Sequence, residues 1–352
     1  MTQVIGKPTP RIEGVEKVTG VARYATDVVL PGMLWAKVAR SPIAYGRIKN
    51  VDLTEALKVP GVKAVITGKD VAGLKIGRRI HDMPILADEV VRYVGEKVAA
   101  VAAETEESAE RAIELIEIDY EEMEPLCDPL AALQTTAPLL HPAVTSYLGL
   151  PKKLDAPSNL FLHMSWGNGD INVGFHQSDM IIENRFATQS VHQAYLEPHS
   201  CVVLADPTGG AEIWACSKTP YAVREQLSKS LNVPEERLLF HPTHIGGDFG
   251  GKGGSMDIPV CYFLSLKSHR PVKMVMDYDE ELLAGNPRHS SIINAKTGVK
   301  KDGTIVAHHL ELIFDSGDTF LRCPQCNHLC VWQLQEELIS QDEFESVDGI
   351  AA

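Results

Sequence analysis

At 352 residues the chain can bury at least two cores, and 44% hydrophobic with 23% charged residues excludes a disordered chain. A formal charge of −14 excludes nucleic acid as an expected partner, because backbone phosphates would be repelled. No apolar run reaches spanning length, and Met1-Thr2-Gln3-Val4-Ile5 lacks the charged and apolar regions of a signal peptide, so no membrane contact and a cytoplasmic location are expected. Seven cysteines is an odd number, and Cys127, Cys201, Cys216 and Cys261 stand in apolar surroundings; they read as reduced core residues.

Residues 1–121 alternate short strands and helices. Ala64-Val65-Ile66 is an apolar strand after the Pro60-Gly61 turn, and 97–103 is another. Thr105 then caps a helix whose Ala109, Ala112, Ile113 and Ile116 lie three and four apart, with Glu106, Glu107, Glu110 and Glu114 on the solvated face. Ile116-Glu117-Ile118-Asp119-Tyr120 alternates with period two and predicts a half-buried strand. Prolines at 125, 129, 138, 142, 151 and 157 break any periodicity over 122–158, which predicts an extended linker.

A second domain is expected over 159–320. It opens with strands near 160–165 and 180–186 around a Gly167-Asn168-Gly169-Asp170 turn. Strands 201–205 and 211–215 form a hairpin across Asp206-Pro207-Thr208-Gly209-Gly210. Thr219-Pro220 starts a helix striped by Val223, Leu227 and Leu231 and stopped by Asn232-Val233-Pro234. Leu238-Leu239-Phe240 reads as a buried strand and 255–267 as a helix. From Leu321 the pattern changes: 321–352 reads as a divergent, disordered tail in which 333–344 could form a short exposed helix.

Between that last strand and helix lies Ile245-Gly246-Gly247-Asp248-Phe249-Gly250-Gly251-Lys252-Gly253-Gly254, with six glycines in nine residues. Such a loop brings backbone N–H groups close to an anionic or flat ligand, and one that opens a helix N-terminus is a natural phosphate site. It is not a P-loop: Gly246 to Lys252 has the G-x-x-x-x-G-K core, but Gly253 stands where Mg²⁺ needs Ser or Thr, and Asp248 would repel phosphates. Nor does any G-x-G-x-x-G spacing run through the glycines. The bland alternative is a tight turn with no ligand.

Gly-Gly-x-Phe-Gly-Gly-Lys resembles the molybdopterin-binding loop of the xanthine dehydrogenase and aldehyde oxidase family, with Asp248 in place of the family's third glycine. Other landmarks recur in the family's order: 11–20, Ala22-Arg23-Tyr24-Ala25, Arg40-Ser41-Pro42, Val94-Gly95-Glu96-Lys97-Val98, Tyr195-Leu196-Glu197-Pro198, Arg270-Pro271-Val272-Lys273, Lys301-Asp302-Gly303-Thr304-Ile305 and Phe314-Asp315-Ser316-Gly317. The resemblance covers about residues 5–320. It implies an α+β chain: an N-terminal α/β hammerhead domain over 1–121, then the first, incomplete part of a molybdopterin-binding domain.

The resemblance also implies the chemistry. Family enzymes hydroxylate a carbon of an aldehyde, purine or aromatic heterocycle with oxygen from water, and electrons leave through [2Fe–2S] clusters to FAD. It implies a molybdopterin-type molybdenum cofactor, in its cytosine dinucleotide form, contacted by Gly246, Gly247, Phe249, Gly250 and Gly251. Gln193 is the candidate for the amide beside the apical oxo group, with Gln189 the alternative register. Glu197 reads as a hydrogen-bonding structural residue rather than a base. Molybdenum is held by the pterin dithiolene, so no protein metal ligand is expected, and His192, His199, His241 and His244 make no recognisable ligand set. The family's catalytic glutamate lies beyond any matching position here, so no catalytic residue is assigned. Implied partners are a small iron–sulfur subunit and a medium FAD subunit, with a separate C-terminal half of the same subunit as a further candidate. The competing expectation is a non-catalytic, truncated remnant or assembly piece that binds no cofactor. Cys323, Cys326 and Cys330 crowd too closely with His328 to surround one ion, so a metal site there is the weaker reading.

Overall fold

The computed structural model describes residues 5–78, 80–150, 156–315 and 329–336. The chain divides into two compact units, and neither is a continuous segment. The first comprises 1–78, 84–122 and 193–285; the second comprises 79–83, 123–192 and 286–352. This differs from the expected division at 121 and 159. Long-range contacts join the segments: strand Leu34–Arg40 lies parallel to Val272–Val275, with Leu34 opposite Val272, and helix Ile258–Ser268 packs on Val62–Thr67 and Lys97–Ala103. Local periodicity carries no signal of such a partner.

In the first unit a seven-stranded sheet runs in the order Leu238–His241, Ala211–Ala215, Ser200–Ala205, Val272–Val275, Leu34–Arg40, Lys97–Ala103, Val62–Thr67. The strand Lys97–Ala103 is buried at every position. Its sequence explains this, since Val98-Ala99-Ala100-Val101-Ala102-Ala103 presents small side chains over which helices Glu106–Glu114 and Ile258–Ser268 both pack. Thr105 caps the first of these helices as expected, accepting from the Ser108 N–H at 3.1 Å. A separate three-stranded antiparallel sheet joins Val90–Val91, Gly46–Asp52 and Glu117–Glu122. It closes over Ala87, Val91 and Val98 with Ile43, Ile48, Val51, Ile118 and Tyr120.

The second unit holds a five-stranded sheet in the order Met180–Thr188, Ser290–Val299, Ile305–Asp315, Leu329–Glu336, Leu160–Asn168. Within the segment expected to be a disordered tail, Leu329–Glu336 is thus a strand between two others, and 333–336 is not helical. Cys323 and Cys326 lie outside the described residues. Helix Ile171–His176, which the sequence reading does not assign, follows the Gly167-Asn168-Gly169-Asp170 turn and forms because Asp170 accepts from the N–H groups of Asn172 and Val173 at 2.9 and 3.2 Å. Leu126, Leu130, Leu133, Ala132, Ile292 and Ile313 form a small core here. The segment 123–159 contains only the short helices Pro129–Ala132 and Val144–Ser146 among its described residues, in keeping with its prolines. Among the described residues no helix is long and apolar enough to cross a membrane.

Candidate functional site

All the singled-out positions on the glycine loop lie in the first unit, and so does Gln193. The loop leaves the edge strand Leu238–His241 and is guided by the N-terminal segment: the His244 N–H donates to the Arg23 carbonyl at 2.9 Å, and the His244 ring meets Glu16 at 2.9 Å. The loop then wraps around the segment 193–197. Glu197 Oε2 accepts from the Gly246 N–H at 2.8 Å and from Lys252 Nζ at 2.7 Å. Lys252 is fully buried, and its ammonium also lies 4.6 Å from the centre of the Tyr195 ring. The lysine that a P-loop would aim at phosphate is therefore an internal clamp.

The glycines are required by close approach to Tyr195 and Glu197. A Cβ on Gly246 would stand 2.6 Å from Glu197 Cβ, and one on Gly251 2.6 Å from Tyr195 Cε1. A Cβ on Gly247 would stand 2.9 Å from Tyr195 Cβ, at φ +110°, where side chains are disfavoured in any case. Gln193 belongs to the same cluster, its carboxamide oxygen lying 3.3 Å from the position a Gly251 Cβ would take. Gln189, the alternative register, is exposed and belongs to the other unit.

Asp248 closes the turn. Its carboxylate accepts from the N–H groups of Gly250 and Lys252 at 2.9 and 2.6 Å and pairs with Lys218 at 3.1 Å. Partial burial would raise its pKa, but these donors outweigh that and hold it below the ordinary carboxylate range. The Phe249 ring, at φ +45°, is 65% exposed and stands out from the loop. Helix Ile258–Ser268 does not begin at the glycines: Ser255, Met256 and Asp257 intervene, and Asp257 is buried in an ion pair with Lys97 at 3.0 Å. The glycines therefore do not themselves open the helix, and the Asp257 carboxylate beside its first turn makes no cap bond.

Behind Tyr195 lies helix Tyr278–Ala284, which sequence reasoning misses. Its available signal is the capping box Asp277–Glu280, with Asp277 accepting from the Glu280 N–H at 2.8 Å. Glu281, fully buried, receives the Tyr195 hydroxyl, the His199 N–H at 2.7 Å and His199 Nδ1 at 2.8 Å. Burial alone would raise the Glu281 pKa; the bonds and charge from His199 and the Tyr195 hydroxyl bring it down to about 2. Burial and the Glu281 carboxylate push the Tyr195 phenol well up, so it remains a donor. Two landmark motifs meet on this helix. Arg40 pairs with Glu280 at 3.0 Å and donates to the Gly95 carbonyl at 3.2 Å. Ser41 and Gly95–Glu96 exchange backbone bonds at 2.8 Å.

His241 stacks on Trp214 at 4.3 Å and bonds Glu212, and His192 belongs to the other unit. Among the described residues no cluster of His, Cys, Asp or Glu is placed to hold a metal ion. Cys201, Cys216 and Cys261 are buried free thiols, as expected; Cys127 is exposed, because the proline-rich segment around it builds no core at that position.

Residues 19–124 match the aldehyde oxidase and xanthine dehydrogenase a/b hammerhead domain, and residues 153–335 match the molybdopterin cofactor-binding domain. The chain belongs to the xanthine dehydrogenase, aldehyde oxidase and CO dehydrogenase superfamily, as a molybdopterin-binding oxidoreductase subunit. It is 37% identical to a probable xanthine dehydrogenase subunit of Bacillus subtilis, over 89% of this chain and 40% of that protein. It is 31% identical to the nicotinate dehydrogenase large molybdopterin subunit of Eubacterium barkeri, over 90% of this chain and 71% of that protein. The structure resembles quinoline 2-oxidoreductase from Pseudomonas putida 86, with a TM-score of 0.80, 25% identity and coverage of 95% of this chain and 44% of that one. The chain thus spans about 40% of the length of several relatives and most of the nicotinate dehydrogenase subunit.

Proposed function

We propose that the chain binds a molybdopterin-type molybdenum cofactor, in its cytosine dinucleotide form, for an enzyme that hydroxylates a carbon centre with water as oxygen donor. The observation that carries this reading is the meeting of Gln193, the exposed Phe249 ring and the glycine-loop backbone at one place. The residues fit such a group. Phe249 and the half-exposed backbone of Gly246, Gly247 and Gly250 offer a surface for a flat heterocycle. The Asp248 carboxylate of the loop and the Glu197 carboxylate beneath it are both neutralised by lysines, so neither presents an uncompensated negative charge to an anionic cofactor.

In this reading the loop backbone at Gly246, Gly247 and Gly250 lies against the cofactor and Phe249 packs on it, while Gly251, expected from sequence as a further contact, is buried against Tyr195 with its N–H on the Asp248 carbonyl. Gln193 donates a neutral amide hydrogen bond without adding charge. Glu197 and Lys252 keep the loop in shape and take no part in proton transfer. The bound cofactor supplies the oxygen-transfer and two-electron chemistry. The general base comes from outside this chain, and electrons pass to [2Fe–2S] and FAD partner subunits. Substrates are aldehydes, purines or aromatic heterocycles. A separate C-terminal half of the same subunit is a further proposed partner.

The test is to assemble the chain with the remaining half and its redox partners in a host that makes the cofactor, then supply candidate substrates in heavy-oxygen water. The reading requires the label to enter the product. An assembly that contains molybdenum but transfers no solvent oxygen to any of these substrate classes would refute the hydroxylase. An assembly that takes up no molybdenum would leave the chain as a non-catalytic piece.

A further inference from the structure

The geometry points to Glu281 as a positioning residue that, through Tyr195, fixes where the glycine loop stands relative to Gln193. This rests on the proposed role of that loop and adds the element that holds it in place. A carboxylate with no solvent exposure is costly unless it is paired and hydrogen-bonded, so its donors matter. They come from 82 and 86 residues away in sequence, on His199 and Tyr195. Helical capping does not explain it, since Glu280 makes the capping box. A second bond from the same helix reinforces the first: the Tyr278 hydroxyl donates to the Tyr195 carbonyl at 2.6 Å.

Tyr195 is the template for the loop. Its ring leaves no room for a Cβ on Gly251, its own Cβ leaves none for one on Gly247, and the Lys252 ammonium rests over its face. Gln193 is two residues away, joined through Ala194 at φ +54°, a conformation that persists only where the surroundings hold it. The helix itself is fixed by the sheet and by Arg40, Glu280 and Gly95. Displacing Glu281 therefore frees the Tyr195 ring, and with it both the loop and the amide that face the ligand. Glu281 is not placed against the ligand and acts only through Tyr195 and His199.

The test compares wild type with Glu281→Gln, Glu281→Ala and Tyr195→Phe by hydrogen exchange on the full chain without added cofactor. Tyr195→Phe keeps the ring and removes only the hydroxyl, so it covers the case in which Glu281→Ala fails to fold. The expected result is exchange about tenfold faster in 246–254 for each variant, with the amides of strand Lys97–Ala103 unchanged. A role confined to general packing would speed exchange in loop and strand alike, so the contrast between 246–254 and Lys97–Ala103 is the readout that separates the two. Loop exchange equal to wild type in the isosteric variants, or equal acceleration in loop and strand, overturns the proposal. Molybdenum content is read separately. A wild type that never takes up molybdenum refutes the proposed function and leaves the loop result standing, whereas a normal metal content with an unchanged loop in the variants refutes the positioning role alone.

Discussion

Replacing Lys252 with Met tests the clamp under the glycine loop. The substitution keeps the volume of the side chain and removes a fully buried ammonium 2.7 Å from Glu197 Oε2. The Glu197 carboxylate, 9% exposed, then keeps the Gly246 N–H as the donor to that oxygen. Stranding one member of a buried pair costs about 3–5 kcal/mol. Protonation sets a ceiling: for an ordinary carboxyl at about pH 7 it costs about 4 kcal/mol, and at about pH 5.5 about 2 kcal/mol. Lys252→Met should therefore lose about 3–4 kcal/mol at the higher pH and about 2 kcal/mol less at the lower one. The sign follows from the stranded carboxyl gaining proton affinity in the folded state, so stability falls as pH rises. Urea denaturation at the two pH values measures it, and adding Glu197→Gln should recover most of the loss. A loss that is the same at both pH values and is not recovered by Glu197→Gln would refute the clamp.

Other outcomes follow from the same geometry. Burial pushes the Glu96 carboxyl up to about 7 against the opposing charges of Arg92 and Lys97, so its contribution is fully present below about pH 4.5 and lost as pH rises through about 7. Glu96→Gln should therefore gain about 2–3 kcal/mol on wild type between about pH 5 and about pH 8, and a constant difference in urea midpoints across that range would be contrary. Gly251→Ala forces a methyl against the Tyr195 ring, where a Cβ would stand 2.6 Å from Cε1, and should lower stability by about 1–3 kcal/mol in the same assay. A neutral effect would mean the ring moves freely.

Much of this is legible in the sequence because it is local. The glycine loop, the hairpin Ser200–Ala205 with Ala211–Ala215, the strand Lys97–Ala103 and the Thr105 cap each carry their signal within a few residues. What cannot be read depends on distant partners. The pairing of Leu34–Arg40 with Val272–Val275 joins distant segments in one sheet, yet neither strand announces the other. Glu281 looks like an ordinary acid in the acidic run 279–281, and only the fold buries it against Tyr195. Leu329–Glu336 escapes notice because acidic and thiol residues around it mask its alternation. The histidines near the loop are uninformative for a similar reason: their partners Glu16, Glu212 and Glu281 lie far away in sequence.

The central claim is that the loop from Gly246 to Gly254, with Gln193, carries the cofactor. Its most direct test is molybdenum content per chain in the purified assembly, measured side by side for wild type and Phe249→Asp, which places a charge on the exposed face of the loop. The account predicts stoichiometric molybdenum in wild type and a large loss in the variant at unchanged thermal stability. Equal molybdenum in the two proteins would contradict it.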